Sequence, residues 1–331
     1  MRHLRRWYVY LPITALIVGL LLWRTQVWTA TDLLRGADVR LLVVVVLLNL
    51  VVIVAWAVRS RQLLDAFGHH IGTLPLVPIV SFANTINGLT PASAGEVVRA
   101  VVLRQRHDVP YRDGAAIIVV ERVFALGLIV VSALACLVIA AAGPVLGALA
   151  VIVAVVLVAV PTVVYRVGYR FSRIFAWIAG PATRRWALAD RAVVALADIE
   201  DQVATILASW SATARFTLVT ALIFVTMDAQ LVLVGAAIGV PIDPIVGWAA
   251  LGLGAIAGIL SALPFGLGAA DAVIAIVLIS FGTDPGTAAL LTVLLRLLAT
   301  LPTGLFGAAS YVYLNRTSGT PLASATTEHP G

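Results

Sequence analysis

Seven charged residues lie inside apolar stretches of this sequence: Glu96, Arg99, Glu121, Arg122, Asp228, Asp271 and Arg296. A charge near the centre of a bilayer costs at least about 2.5–3.5 kcal/mol, so each needs a partner or a function. The planar guanidinium group of arginine suits a phosphate group. We therefore interpret the arginines as contacts for a lipid phosphate, and the acids as groups that balance them or carry protons. Salt bridges that only hold helices together are the structural alternative.

The spacing of these charges indicates which of them share a helical face. Glu96 and Arg99 lie at positions i and i+3, so they lie on one face. Glu121 and Arg122 are adjacent and therefore point to different sides of their helix. They lie eight residues, or roughly 12 Å, into an apolar span.

The composition is that of a membrane protein. The chain has 331 residues, 61% of them hydrophobic and 11% charged, with a mean hydropathy of +1.05, whereas a typical soluble domain has about 25% charged residues. This composition excludes an ordinary soluble enzyme, a disordered protein and a DNA-binding domain. An isoelectric point near 10.1 would suggest nucleic acid for a soluble protein. Here it reflects arginines at one membrane face, and we expect no nucleic-acid partner.

The sequence shows no residue pattern typical of an enzyme or a metal site. Cys136 is the single cysteine, so a disulfide framework is excluded. His69 and His70 are adjacent, but no cysteine or acid cluster completes a metal site. No Ser/His/Asp arrangement and no Gly-rich phosphate loop is present. We therefore predict no cofactor, no metal and no enzymatic activity.

Six apolar segments are long enough to cross a bilayer core of about 30 Å as helices, which takes roughly 20 residues. With both termini inside, 17 of the 22 arginines lie on the cytoplasmic side, and only Arg24, Arg35 and Arg40 lie outside. We therefore predict a multi-pass protein of the cell membrane with cytoplasmic termini. The first segment is interpreted as a retained span, because no small-residue cleavage site follows it. The segments are residues 7–23, 41–58, 114–142, 144–165, 216–240 and 286–314.

Two further apolar stretches, residues 74–106 and 245–281, are interrupted near their middle. The interrupting residues are Asn84, Asn87, Gly88, Pro91 and Gly95 in the first and Pro264, Gly266 and Gly268 in the second. Backbone leaves the helix at membrane depth only where protein or a wet cavity satisfies its polar groups. We interpret each stretch as a re-entrant hairpin, with one kinked span plus a surface loop as the alternative. The helix N-termini after both breaks would add N–H donors for an anion.

The two hairpins predict an internal repeat. Pro91 recurs as Pro264 at an offset of 173 residues, and Arg122 recurs as Arg296 at an offset of 174. Two spans precede the first hairpin and five precede the second, so the hairpins enter from opposite sides. Such an inverted repeat is common in secondary transporters, whose broken helices line the substrate site. The predicted lipid-headgroup site is therefore Asn87, Pro91, Gly95, Glu96, Arg99, Glu121, Arg122, Pro264, Gly266, Gly268, Asp271 and Arg296.

The predicted fold is all-α: about six transmembrane helices, two re-entrant helical hairpins and an inverted repeat. Residues 1–314 form a single transmembrane domain. Within it, residues 166–213 form a cytoplasmic connector between the halves, in which apolar side chains recur at helical spacing from Leu188 to Trp210. Residues 315–331 are rich in Ser, Thr, Pro and Gly, which predicts a disordered cytoplasmic tail.

Four short motifs follow one another along the chain. They are residues 87–99 (NGLTPASAGEVVR), the pair Glu121-Arg122, residues 263–271 (LPFGLGAAD) and Arg296. Together they resemble the signatures of a large bacterial and archaeal family, the membrane region of lysylphosphatidylglycerol synthases, also called flippase-like membrane proteins. The resemblance covers residues 41–314, which is most of the chain.

The motifs depart from the family pattern at four positions. The first often has an arginine where Ser93 stands, and an acid often follows the Glu-Arg pair where Ala125 stands. The two absent charges are of opposite sign, so losing both together is self-consistent because it leaves the net charge unchanged. The third motif often reads Pro-Gly-Gly and ends in Glu, whereas Phe265 and Asp271 stand here.

The resemblance implies a lipid-translocating role. In fused members this region moves aminoacylated phospholipid between leaflets, and a separate cytosolic domain makes that lipid. The chain has no room for that domain, so we expect a stand-alone member that moves an anionic phospholipid or a polyprenyl-phosphate-linked lipid. Its partners are then membrane lipids and a separate lipid or glycolipid synthase. The alternatives are a non-catalytic scaffold for such a synthase, and a lipid-modifying membrane enzyme with Glu96 or Glu121 as general base.

Overall fold

The computed structural model describes residues 27–90, 94–166, 197, 201, 209–261 and 263–317. Every regular element among these residues is a helix. The α-helices are α1 (Val39–Ala66), α2 (Thr73–Leu89), α3 (Ala94–His107), α4 (Tyr111–Arg166), α5 (Trp210–Ala237), α6 (Pro244–Ser261), α7 (Ala269–Ser280), α8 (Pro285–Leu295) and α9 (Leu301–Thr317). Short 3-10 helices span Val27–Gly36 and Pro264–Gly266, and a π-helical turn, Arg296–Thr300, joins α8 to α9.

Five helical segments in the described part are long and apolar enough to cross a membrane. They are α1, the first part of α4 (Tyr111–Gly143), α5, α6 and the continuous α8–α9 segment (Pro285–Thr317). Helices are confirmed at five predicted spans, residues 41–58, 114–142, 144–165, 216–240 and 286–314. Gly143 interrupts α4 with φ 83° and ψ 179°, where two spans are predicted to separate. The predicted span at residues 7–23 lies outside the described residues.

The long helices keep apolar side chains on their outer surface. On α1, Leu47 and Leu50 are each 55% exposed, whereas Val45, Asn49 and Val52 on the opposite face are buried. Extended apolar surface is unfavourable in water, and acyl chains remove that cost. The chain is therefore a multi-pass α-helical membrane protein.

Two helical hairpins, α2–α3 and α6–α7, have their open ends in two buried clusters that include opposite ends of α1. Leu76 near the start of α2 shares a buried cluster with Leu64 near the C-terminal end of α1. Val246 near the start of α6 shares a second cluster with Val45 near the N-terminal end of α1. A short turn and then a long helix follow each hairpin, so both halves have the same element order.

The closed ends of the two hairpins contact each other. Gly88, near the end of α2, lies against the ring of Phe265 with no space for a Cβ atom between them. Gly95, at the start of α3, also has no space for a Cβ atom, because the Ala83 carbonyl and Asn87 of α2 lie against it. The two helix breaks therefore form one region between the opposed hairpins.

The first break is shorter than predicted. Asn84, Asn87 and Gly88 lie inside α2, which continues to Leu89 and ends where the Thr90 N–H donates to Ile86 O at 2.9 Å. The prediction that these three residues interrupt the helix is wrong, because neither asparagine nor glycine removes a backbone donor as proline does. Pro91 and Ser93 lie outside the described residues.

Two helices extend past the boundaries predicted for the non-membrane segments, and the division into domains stays a prediction. The tail is predicted to start at residue 315, but α9 continues through Thr317 because Arg106 donates to Leu314 O and to Thr317 Oγ1. The connector is predicted to extend to residue 213, but α5 begins at Trp210, where the Ser209 hydroxyl caps the helix. Most of the connector and the rest of the tail lie outside the described residues.

Candidate functional site

Five buried or partly buried charges of the first half alternate in sign along one series of contacts. Arg59 and Arg99 both donate to the Glu121 carboxylate, the latter from Nη1 to Oε2 at 2.7 Å. Arg99 Nη2 also lies 3.1 Å from Glu96 Oε2, and Glu96 Oε1 accepts a hydrogen bond from Arg122. Glu121 and Arg122, which are predicted to point to different sides of their helix, thus have different direct partners within one network. Pairing offsets the desolvation cost of the buried members.

Arg59 belongs to this network, although in the sequence it is only one of the 17 arginines counted on the cytoplasmic side. It is buried within α1 and paired with Glu121. The cause is the length of α1, which continues to Ala66 and carries Arg59 inside the bundle. Arg61, two residues later, is exposed. The sequence pattern alone does not distinguish the two arginines.

Asp271 and Arg296 form the corresponding pair of the second half. Arg296 Nε donates to Asp271 Oδ1 at 2.8 Å, and Arg296 Nη1 donates to the Phe265 backbone carbonyl at 2.9 Å. The second carboxylate oxygen of Asp271, Oδ2, accepts the Gly268 N–H at 2.9 Å. The Gly268 N–H, which is predicted from the sequence as a donor for an anion, is therefore already bonded within the protein. The pair also ties the second break to the α8–α9 segment.

The backbone of the second break explains its glycines. Gly266 and Gly268 have φ angles of 61° and 84°, a region that side chains with a Cβ rarely adopt. A Cβ at Gly266 would also lie 2.8 Å from Gly258 Cα. Pro264 begins the 3-10 turn, where its fixed φ is compatible with the helix start. Phe265 has a φ of 53°. Its backbone is therefore strained at a position where the family motif often has glycine.

A cavity of about 690 Å³ lies between the halves and is lined by an arginine of each half, Arg122 and Arg296. Their side chains are 41% and 24% exposed. Asp228 and Asp271 supply the acidic groups of the wall, and aliphatic and aromatic side chains supply most of the rest. The volume falls within the range of about 300–1,000 Å³ that is usual for small-molecule sites. The arrangement can hold a compact anionic group beside two guanidinium groups.

The structure divides the predicted site residues into groups. Those that line the cavity are Asn87, Arg122, Gly266, Asp271 and Arg296. Asn87 Nδ2 also donates to Glu96 Oε1 at 2.9 Å. Glu96 contacts Arg122 directly, and Arg99 and Glu121 are linked to it through Glu96. Gly95, Pro264 and Gly268 shape the breaks. Pro91 lies outside the described residues.

The cavity wall also includes many residues outside the predicted headgroup set, and two of them, Asp228 and Phe265, stand out in the sequence. Asp228 is recognised in the sequence as a mid-span charge, but α5 carries neither helix break, so only folding brings it beside them. Phe265 is recognised only as a departure from the family motif. Its ring and its carbonyl contact Gly88 and Arg296 respectively.

The fold and the site define a class: a multi-pass helical membrane protein with two hairpins that meet at a charged cavity. The chain belongs to the family described as the lysylphosphatidylglycerol synthase TM region, which matches residues 8–307. The family resemblance of the sequence motifs is thereby confirmed over nearly the whole chain.

One part of the chain is similar to a protein named glycosyltransferase AglD from Haloferax volcanii, with 36% identity over 75 residues. The similar stretch covers 22% of this chain and 12% of that relative. The similarity therefore concerns a small part of the relative, and its activity is not carried over with it.

Proposed function

We propose that this protein moves an anionic lipid, a phospholipid or a polyprenyl-phosphate-linked lipid, between the leaflets of the plasma membrane. The observation that carries the proposal is the cavity lined by Arg122 of one half and Arg296 of the other. Guanidinium groups bind phosphate oxygens through paired, charge-assisted hydrogen bonds. The bonds that hold Arg296 in place use Nε and Nη1, so neither of them uses Nη2.

The position of the cavity allows the lipid tail to stay outside the protein. Met227 and Ile259 line the cavity and are 38% and 53% exposed, so its wall includes part of the apolar outer surface. A headgroup between Arg122 and Arg296 would leave its tail among the surrounding acyl chains. The arginines then lower the cost of moving the headgroup, which is the expensive part of the lipid to transfer.

We interpret the two hairpins as re-entrant units of an inverted repeat. Their open ends lie in two buried clusters that include opposite ends of α1, and Gly88 of one contacts Phe265 of the other. In secondary transporters this arrangement puts the substrate site near the bilayer midplane. Movement of one half against the other would expose the cavity to each leaflet in turn.

Cysteine labelling from each side of the membrane tests this topology in a Cys136→Ala background. Cysteines at His70 and Asp108 mark the two open ends of the first hairpin, and cysteines at Pro241 and Phe281 mark those of the second; all four residues are exposed. With cytoplasmic termini, we expect the first two to react from the cytoplasm and the last two from outside. Reaction of the first two from different sides would mean that the α2–α3 hairpin crosses the membrane.

Translocation is tested with purified protein in liposomes that contain fluorescent phosphatidylglycerol or a fluorescent polyprenyl phosphate. We expect transport to fall at least about tenfold in Arg122→Ala and Arg296→Ala, because each loses charge-assisted hydrogen bonds to the phosphate. Arg112→Ala, at an exposed arginine, is the control and should match the wild type. Folded wild-type protein that moves neither lipid would contradict the proposal.

A second candidate is a non-catalytic membrane partner of a lipid or glycolipid synthase. The similarity to a protein named as a glycosyltransferase favours it. In that function the folded protein binds a synthase, moves no lipid and tolerates Arg122→Ala. Our proposal assigns no enzymatic step to the chain, and a product formed from lipid by the purified protein would indicate a membrane enzyme instead.

A further inference from the structure

Asp228 differs from the other acids beside the cavity. It lies within α5, is 7% exposed and lines the same cavity as Arg122 and Arg296. Its Oδ1 atom is buried without a hydrogen-bond partner, and no salt bridge reaches its carboxyl group from the residues that the structure describes. Glu96 and Asp271, in contrast, each pair with an arginine. Asp228 therefore has no role in holding the two arginines.

Close packing of α6 keeps the Asp228 carboxyl group in place. A Cβ atom at Gly247 would lie 2.5 Å from Oδ1 of Asp228, so the α6 backbone covers the carboxyl group. An ionised carboxylate without a partner is costly in apolar surroundings. A bound proton removes this cost.

The groups around Asp228 come from several elements. Asp243, in the loop before α6, acts on Asp228 electrostatically, and Asp228 acts in the same way on Cys136 of α4. On the same helix, Gln230 donates to the Asn49 amide oxygen of α1. The sequences of α6 and α8 contain no titratable residue. The charged groups that share its cavity are Arg122, Asp271 and Arg296.

The net charge around the cavity stays the same when one anion and one proton bind together. The Arg296–Asp271 pair is neutral, and one net positive charge belongs to the connected network of Arg59, Arg99, Arg122, Glu96 and Glu121. This excess is cancelled when Asp228 is ionised and restored when Asp228 is protonated. A phosphodiester group carries one negative charge. We propose that Asp228 is a proton-binding site and that a proton and an anionic headgroup occupy the cavity together, an inference that rests on the function proposed above.

Joint occupancy makes headgroup binding dependent on pH. Where Asp228 is ionised in the free protein, affinity falls by up to about tenfold for each unit of rising pH, because one proton binds with the headgroup. A singly charged headgroup then crosses together with one proton and without net charge. A pH gradient therefore drives transport, and a membrane potential does not.

Binding of short-chain phosphatidylglycerol to the purified full chain, from acidic to alkaline pH, tests the inference. We expect Asp228→Asn to bind with an affinity that changes less than about twofold over a range in which wild-type affinity changes at least tenfold. The matched control is Asp32→Asn, at a surface residue paired with Arg35, which should keep the wild-type pH dependence. Wild-type pH dependence in Asp228→Asn would overturn the proposal.

Two readouts are independent of transport. Infrared difference spectra of the wild type should show the C=O stretch of a protonated carboxyl group that disappears on alkaline titration and is absent from Asp228→Asn. Calorimetry in two buffers of different ionisation enthalpy should show proton uptake by the wild type when the lipid binds, and this needs no variant. A missing band or missing uptake overturns the proposal. Both signals present in a protein that moves no lipid would contradict the translocation function and leave the proton site standing.

Discussion

Arg296 Nε lies 2.8 Å from Asp271 Oδ1, and this pair repeats in the second half a contact that Arg122 makes with Glu96 in the first. In each half the acid lies in the first turn of the short helix after the break. The arginine lies one helix further along, in α4 in the first half and in the π-helical turn directly after α8 in the second. Each break is thus tied by one ion pair to the long helix that follows it.

Arg296→Ala should lower both stability and lipid binding. It leaves the buried Asp271 carboxylate without its partner, which typically costs about 3–5 kcal/mol. The double variant Arg296→Ala/Asp271→Asn removes the uncompensated charge, so we expect its thermal unfolding midpoint to recover while phosphatidylglycerol binding stays weak. Recovery of both properties would show that the arginine serves only the fold.

Glu121→Gln should be strongly destabilising. Glu121 accepts hydrogen bonds from two buried arginines, Arg59 and Arg99, and the variant leaves their charges uncompensated. We expect a loss on the order of 3–5 kcal/mol, measured by denaturant unfolding in detergent. Asp65→Asn, which removes a partly exposed partner of Arg61, is the control and should change little. Equal effects in the two variants would argue against a structural role for the buried network.

Gly95→Ala should disrupt the first hairpin. A Cβ at Gly95 would overlap the Ala83 carbonyl and the Asn87 backbone, neither of which is a flexible side chain that can move away. Forced overpacking of this kind typically costs about 1–3 kcal/mol. Gly127→Ala in α4 is the control: among the described residues, no neighbouring atom lies within 4 Å of where its Cβ would stand, and alanine has the higher helix propensity. We expect a lower unfolding midpoint only for Gly95→Ala.

Substitutions of Phe265 separate backbone strain from packing. Phe265→Ala removes the ring beside Gly88 and keeps a Cβ at a φ of 53°. Phe265→Gly removes both the ring and the backbone strain. A left-handed backbone costs roughly 1–2 kcal/mol for a residue with a Cβ. The glycine variant should therefore unfold at a higher temperature than the alanine variant. The reverse order would mean that the left-handed backbone is not strained at this position.

The membrane architecture is largely predictable from the sequence, for local reasons. A run of about 20 apolar residues forms a spanning helix whatever its neighbours are, and five predicted spans are confirmed as helices. The second break is also predictable, because proline and glycine act on their own backbone: α6 ends at Ser261 and α7 begins at Ala269. At the first break, the two asparagines and Gly88 are poor indicators of an interruption, since none of them removes a helix hydrogen bond.

The pairing of the charged residues is not predictable from the local sequence. The sequence by itself determined which charges lie in apolar surroundings and that Glu121 and Arg122 diverge, because helical geometry sets the direction of adjacent side chains. Only the tertiary structure decided that Arg59 reaches Glu121 across 62 positions and that Asp228 borders the cavity without a basic partner in the described part of the chain. Pairing depends on which helices lie side by side, and no periodicity within one helix specifies that.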